Sequence, residues 1–254
     1  MKVMAYGSSR IHSISIQIYN TNETRSIAES NRIESAMKFS DSPVVELAVG
    51  GKVLSFEQDN GSMHVGTSVW PCSLVLVKFL DRCLSASSSP YSHLLPLPNQ
   101  RAIELGSGCG PAGMGLSLLG FDIVLTDIAP VMPALKRNIK RNRKILGKAP
   151  KYAQLYWNNQ AQIRAMGPPF DFVIAADVVY MEDSALQLVD AMEALLAPHG
   201  VALLGYQLRS PEAHAVFWEK LRRVFPFVEK VPHEHLHPDY AYEETDVYII
   251  KKQA

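Results

Sequence analysis

The chain has 254 residues, and its 25 Lys plus Arg balance its 25 Asp plus Glu. It therefore has no global attraction for a phosphate backbone, and nucleic-acid binding would need a local basic patch. Apolar residues make up 47% and charged residues 20%, which is globular usage, argues against a mostly disordered chain and suits one large α/β domain or two small ones.

Residues 1–43 stand apart as an N-terminal extension. They are rich in Ser, Asn and Arg, and one alternating stretch with Ile14, Ile16 and Ile18 reads as a short strand. The remainder of the extension reads as loosely held. Its start lacks the long apolar core of a secretory signal, and Glu23, Glu29 and Glu34 break the acid-poor pattern of an organelle transit peptide. From residue 44 to 254 the pattern is that of one folded domain. Residues 44–49 and 52–56 flank Gly50-Gly51 and predict a β-hairpin. After a polar stretch to His64, Ser68 reads as the cap of a helix with Pro71 in its first turn and residues 74–84 as its apolar body. The Ser- and Pro-rich residues 85–100 read as a loop.

Beyond Gln100, strands at 102–105, 121–126, 152–156, 170–176 and 201–206 alternate with helices at 112–119, 133–146, 184–196 and 211–224. Two further strands, 227–231 and 246–250, close the chain. This alternation predicts a Rossmann-like, doubly wound α/β fold: a seven-stranded, mostly parallel sheet with helices on both faces, plus the small N-terminal β-hairpin. The last two strands leave no room for a helix between them, so the final strand is expected to run antiparallel. No run of about 18 apolar residues is available to span a membrane. The three cysteines, Cys72, Cys83 and Cys109, form no C-x-x-C pair, which argues against a disulfide framework and fits a reducing compartment, the cytoplasm.

Chemistry concentrates at Glu104-Leu105-Gly106-Ser107-Gly108-Cys109-Gly110, a glycine-rich turn after the strand at 102–105. Open α/β sheets bind ligands beyond the carboxyl ends of their strands. Residues 108–113 also spell G-x-G-x-x-G, which leaves a dinucleotide reading open. Against it, Pro111 removes one of the N–H groups that a diphosphate needs at the helix start, and Glu104 adds a negative charge there. A ligand with a cation near the turn, such as S-adenosylmethionine, suits these residues better. Asp127, ending the next strand, is placed to accept ribose hydroxyls or to cap the helix that follows.

The glycine turn, Asp127 and the tetrapeptide Asp177-Val178-Val179-Tyr180 resemble class I, seven-β-strand methyltransferases. With Trp70-Pro71 before the first strand of the sheet and Trp157 after the third, the chain resembles more narrowly the methyltransferase-like protein-lysine methyltransferases, also labelled nicotinamide N-methyltransferase-like. The resemblance covers roughly residues 44–250. It implies S-adenosyl-L-methionine as cofactor, S-adenosyl-L-homocysteine as product and no metal. It implies that Gly106, Ser107 and Gly108, with Glu104, line the methionine and ribose portions, that Asp127 holds the ribose and that Trp157 flanks the adenine. Ala176 would run along the cofactor, and Trp70 would close the other side. Tyr156 departs from the pattern, standing where relatives often carry Asp. Asp177 and Tyr180 are the implied catalytic pair, orienting the incoming amine and helping it shed its proton.

The expected activity is methyl transfer to a lysine side chain of a protein substrate, by a monomer that binds neither nucleic acid nor membrane. A small-molecule N-methyltransferase of the same fold, or a non-catalytic module that keeps the pocket, are the alternatives. His233, His235 and His237 alternate near Glu234 and Asp239 and read as an exposed polar loop rather than a metal site. The basic run from Lys136 to Lys148 reads as a solvated helix face, with an acidic-partner dock as its alternative.

Overall fold

The computed structural model describes residues 42–85, 89–94 and 100–252; the strand expected at 14–18 and most of the extension lie outside them. The first element is a hairpin, β1 (Val44–Val49) and β2 (Lys52–Glu57), paired antiparallel in the register Val49↔Lys52. Gly50 and Gly51 both have positive φ, as a two-residue turn between right-twisted strands requires. Helix α1 (Pro71–Ser85) follows, then β3 (Arg101–Leu105), α2 (Pro111–Leu118), β4 (Asp122–Asp127), α3 (Met132–Arg141), α4 (Arg143–Leu146), β5 (Lys151–Gln154), α5 (Gln160–Ala165), β6 (Phe170–Ala176), α6 (Glu182–Leu195), β7 (Leu196–Tyr206), α7 (Pro211–Val224), β8 (Phe227–Lys230) and β9 (Asp246–Lys251).

β3 to β9 form one seven-stranded sheet in the order β5-β4-β3-β6-β7-β9-β8. The pairs from β5 to β7 are parallel, while β9 is antiparallel to both β7 and β8. The seven strands and the reversed final strand are those the sequence pattern predicts. Strand order changes direction between β3 and β6, so the carboxyl ends of these two strands flank the topological switch point. The glycine turn follows β3 and Asp177 follows β6.

Alternate residues of the central strands go to opposite faces. Phe172 and Ile174 of β6 pack with Phe79 and Leu80 of α1, whereas Val173 and Ala175 pack with Leu188 of α6 and Phe217 of α7. Both faces are thus covered, and the carboxyl ends of β3 and β6 are held between two packed layers.

Two sequence expectations are corrected here. α1 starts at Pro71 itself, and Ser68 closes the preceding 3-10 turn (Val65–Thr67) instead of capping the helix. Its hydroxyl donates to Asn60 Oδ1 at 3.1 Å. The single helix expected at 133–146 is two, broken at Asn142. The break has a use. Asn138 and Asn142, one turn apart and fully buried, each face the free edge of β2 as a peptide group would. Asn138 accepts from Glu57 N at 2.8 Å and donates to Glu57 O at 3.0 Å. Asn142 accepts from Ser55 N at 2.9 Å and donates to Ser55 O at 2.8 Å. Two residues apart on a strand and four apart on a helix, the pairs zip the hairpin to the domain and leave no bare edge there. The basic run is solvent-exposed as expected, apart from the half-buried Arg137; within it Arg137 and Arg141 reach Glu57 at 2.9 and 3.6 Å, and Lys136 lies over the Tyr152 ring.

Asn138→Ala strands a buried N–H and C=O of β2, a loss of about 1–3 kcal/mol, which is a fall of several degrees in melting temperature for a domain of this size. Lys140→Ala on the exposed side of the same helix is the control. Equal melting temperatures for the two variants would contradict the clamp.

Candidate active site

The turn after β3 is seated on the end of β4 by main-chain bonds. Gly106 N and Ser107 N both donate to Thr126 O, at 3.0 and 2.9 Å. In return Thr126 N donates to Ser107 Oγ at 3.0 Å, and Thr126 Oγ1 donates to Glu104 O at 2.5 Å. Asp127 completes the seat, its Oδ2 accepting from Gly108 N and its Oδ1 from Ile128 N, both at 2.7 Å. Asp127 does not cap α3, whose N-cap is Val131 with no side-chain bond. The turn admits no side chain at Gly106 or Gly108. A Cβ at Gly106 would come within 2.7 Å of Val178 Cγ1, and one at Gly108 within 3.0 Å of Gly66 O, both at positive φ.

Above this turn is a cavity of about 300 Å³, at the lower end of the range for small-molecule sites. Trp70, Glu104, Gly106, Ser107, Gly108, Asp127, Ala176, Asp177 and Tyr180 all line it. Trp157 does not. Its ring lies where a Gly106 Cβ would meet it at 3.4 Å, packed against the α6 side of the sheet. The sequence reading missed the segment from Met63 to Gly66, which lines the opposite wall. Trp70 Nε1 ties this segment down through Val65 O at 2.8 Å.

It also missed Arg209. Asp177, the one described non-glycine residue with positive φ (60°), holds Arg209 in a two-pronged pair: Nε to Oδ1 at 2.9 Å and Nη2 to Oδ2 at 2.7 Å. The two side chains are 3% and 8% exposed, so the pair is a buried one. The guanidinium stacks over the Trp70 ring at 5.1 Å. One pair therefore joins the ends of β6 and β7 to the start of α1. A lone arginine in a loop carries no periodic signal, so nothing in the sequence flags it.

The electrostatics of the cavity follow from burial. Glu104 is 2% exposed, and its Oε2 has no hydrogen-bond partner among the described residues. Burial drives its pKa up to about 8, against the pull of the Ser107 hydroxyl and with a push from Asp127. Burial likewise raises Asp127 to about 6, although two backbone N–H groups favour its charge. The Tyr180 phenol is raised by burial and then by the Asp127 and Asp177 charges, so it stays protonated. At neutral pH the floor of the cavity is a protonated Glu104 beside an ionised Asp127. The histidines at 233–237 disperse: His233 faces Asp246 at 3.2 Å, His235 packs edge-on against Tyr91 and His237 accepts from Asp239 N. No group of three or more ligating side chains occurs among the described residues.

The comparisons with known proteins bear on family and fold. A family model described as lysine methyltransferase matches residues 48–224. The chain is 29% identical over 213 residues to the protein N-lysine methyltransferase METTL21A of Mus musculus, covering 83% of this chain and 88% of that protein. It is 26% identical over 200 residues to the EEF1A lysine methyltransferase 3 of the same organism, covering 78% and 76%. Among solved structures, the T. thermophilus 16S rRNA methyltransferase RsmC with AdoMet and guanosine matches with a TM-score of 0.56 at 19% identity, over 83% of this chain and 50% of that one, so the chain spans half its length. The glycopeptide N-methyltransferase MtfA with S-adenosyl-L-methionine matches with a TM-score of 0.50 at 13% identity, over 63% and 90%. The two structures share the fold.

The buried acids give a pH test. A carboxyl whose folded pKa is raised binds more protons folded than unfolded between its two pKa values, so its stability contribution is full below the unfolded pKa and is lost as pH rises through the folded one. Asp127 loses its share by about pH 6 and Glu104 by about pH 8. The melting temperature of the ligand-free protein should fall between pH 6.5 and 8.5, and Glu104→Gln should flatten most of that fall. The same slope in both proteins would show that Glu104 is ionised throughout.

Proposed function

Because the chain belongs to the lysine methyltransferase family, we propose that it transfers methyl groups from S-adenosyl-L-methionine to a lysine side chain of a protein substrate. The observation that carries this reading is the cavity itself, where the glycine turn, Asp127 and the Asp177–Tyr180 segment meet at the switch point of the sheet. The residues fit the cofactor. Glu104 is a buried acid whose Oε2 has no hydrogen-bond partner among the described residues, suited to a cationic amino-acid end. The glycines let the turn pack closely against Val178 and Gly66 at the cavity wall, and each Asp127 oxygen keeps a lone pair for a ribose hydroxyl. Gly106, Ser107, Gly108 and Ala176 would line the cofactor, with Trp70 on one wall and Trp157 toward the adenine. When bound, the sulfonium supplies an already activated methyl, so no protein group need activate it.

What remains for the chain is to present a neutral amine in line. A free lysine costs roughly 4.6 kcal/mol to deprotonate at pH 7, and burying the amine lowers that cost by disfavouring the ammonium form. Asp177 and Tyr180 orient the amine through their oxygens. Arg209 offsets the Asp177 charge, so the pair holds the ammonium form less strongly than a bare carboxylate would, while lone pairs remain to accept N–H groups. In this reading residues 44–254 are the catalytic domain, residues 1–43 an extension and the protein a cytoplasmic monomer. In support of that compartment, Cys72, Cys83 and Cys109 are all buried free thiols. No described helix is long and apolar enough to cross a membrane.

The test is incubation with methyl-labelled S-adenosylmethionine and cell extract. Label should appear in protein and be recovered as methyl-lysine after hydrolysis; label only in small molecules would overturn the reading. Tyr180→Phe is the cleaner probe of the catalytic pair, since Asp177→Asn leaves Arg209 buried and unpaired at about 3–5 kcal/mol of stability. Losing one hydrogen bond made in the transition state, about 1.4 kcal/mol, is about tenfold in rate. Tyr180→Phe should therefore lower single-turnover methyl transfer about tenfold with cofactor affinity unchanged. An unchanged rate would remove Tyr180 from the chemistry.

A further inference from the structure

Among the described residues, the four most exposed large apolar side chains lie at or beside the mouth of the cavity. Met63 is 96% exposed, Met181 58% and Val65 50%, and all three line the cavity. Leu208, 57% exposed, adjoins Arg209 and so stands beside the Asp177 wall. Exposed apolar side chains gathered at one concave place mark an interaction surface, and methionine adapts to varied partners.

Charge is distributed with equal bias. Beyond the carboxyl ends of the strands, the first turn of α6 carries Glu182 and Asp183 directly after Met181, and the loop before β9 carries Glu243 and Glu244, all exposed. Glu244 is tied to Gln207 next to Leu208. From Glu57 to Val77, and from Asp177 to Leu208, there is no Lys or Arg at all, and Arg209 is spent on Asp177. Basic residues gather elsewhere: Lys148 and Lys151 meet Asp122 at the amino end of β4. Among the described residues, acidic side chains thus flank the apolar mouth, while Lys148 and Lys151 lie at the other end of β4.

We infer that this mouth docks a positively charged segment of the substrate protein in which the target lysine is flanked by apolar residues and by further Arg or Lys. The apolar lip of Met63, Val65, Met181 and Leu208 takes the neighbours of the lysine. The flanking carboxylates attract the segment and hold its cationic residues, an attraction that raises the encounter rate and weakens with salt. The inference rests on the lysine-methyltransferase reading, but peptide binding and methyl transfer are read separately, so each can fail alone.

The experiment uses the full chain with S-adenosylhomocysteine and fluorescent peptide pools, each peptide carrying one central lysine. Flanking positions mix Arg with Leu and Val in the first pool, Glu with Leu and Val in the second, and Arg with Ser and Gly in the third. Anisotropy should show the first pool binding at least about tenfold tighter than either other pool, with the advantage over the second shrinking as salt rises. Glu182→Gln/Asp183→Asn/Glu243→Gln should erase the discrimination against the Glu pool and leave S-adenosylhomocysteine affinity unchanged. Leu208→Ser should erase part of the discrimination against the Ser/Gly pool. Equal binding of all pools, as expected if residues 1–41 or a second copy occupy the mouth, would overturn the inference. A preference for the acidic pool, or a charge preference that survives the triple substitution, would overturn it too. Pool discrimination without methyl transfer to any lysine would instead count against the enzymatic reading alone.

Discussion

The seating of one turn on the end of one strand governs the chemistry of this protein. Thr126 O receives two N–H groups of the turn, and the Thr126 hydroxyl and N–H bind back to Glu104 and Ser107. With the backbone thus closed on itself, the turn passes Val178 and Gly66 too closely for a side chain at Gly106 or Gly108. Two consequences follow. The turn and the Asp177–Tyr180 segment are in contact across the switch point, so the two motifs form one wall. And Glu104, at the strand's end, is carried under the turn, where burial outweighs the hydrogen bonds that favour its charge. Such a carboxyl is unfavourable in the ligand-free protein once ionised. Strain of this electrostatic kind is stored where binding can release it.

A second tie holds the opposite wall. The Asp177–Arg209 pair bridges β6 and β7, and Trp70 roofs it from the start of α1. Buried pairs add little net stability over an apolar substitute, but breaking one from either side is costly. The pair therefore fixes where Asp177 points and moderates its charge; in the reading proposed above, both bear on an amine that must arrive neutral.

Much of this architecture was legible in the sequence, and the failures have a common cause. Strand–helix alternation after residue 100 gave α7 as found, residues 211–224, and the short link before β9 gave its reversed direction. Periodicity reports which residues face a core. It is silent about polar side chains whose partners are distant main-chain groups. Asn138 and Asn142 sit among lysines and arginines and look solvated, yet both are buried against β2. Ser68 precedes a helix and looks like its cap, yet Pro71 starts that helix and Ser68 turns to Asn60. Arg209 belongs to no pattern, and the segment from Met63 to Gly66 reads only as polar loop. The family resemblance named the nine cavity-lining residues it did because they lie in motifs; Trp157, outside the lining, is the one whose neighbours it could not supply.

The central claim is that the cavity floor is built for a cationic ligand, through a Glu104 that is protonated until that ligand arrives. Isothermal calorimetry of S-adenosylhomocysteine binding at pH 7, repeated in buffers of different ionisation enthalpy, counts the protons exchanged. The account predicts release of about one proton per ligand bound, abolished in Glu104→Gln. Binding with no proton release, or with proton uptake, would contradict it.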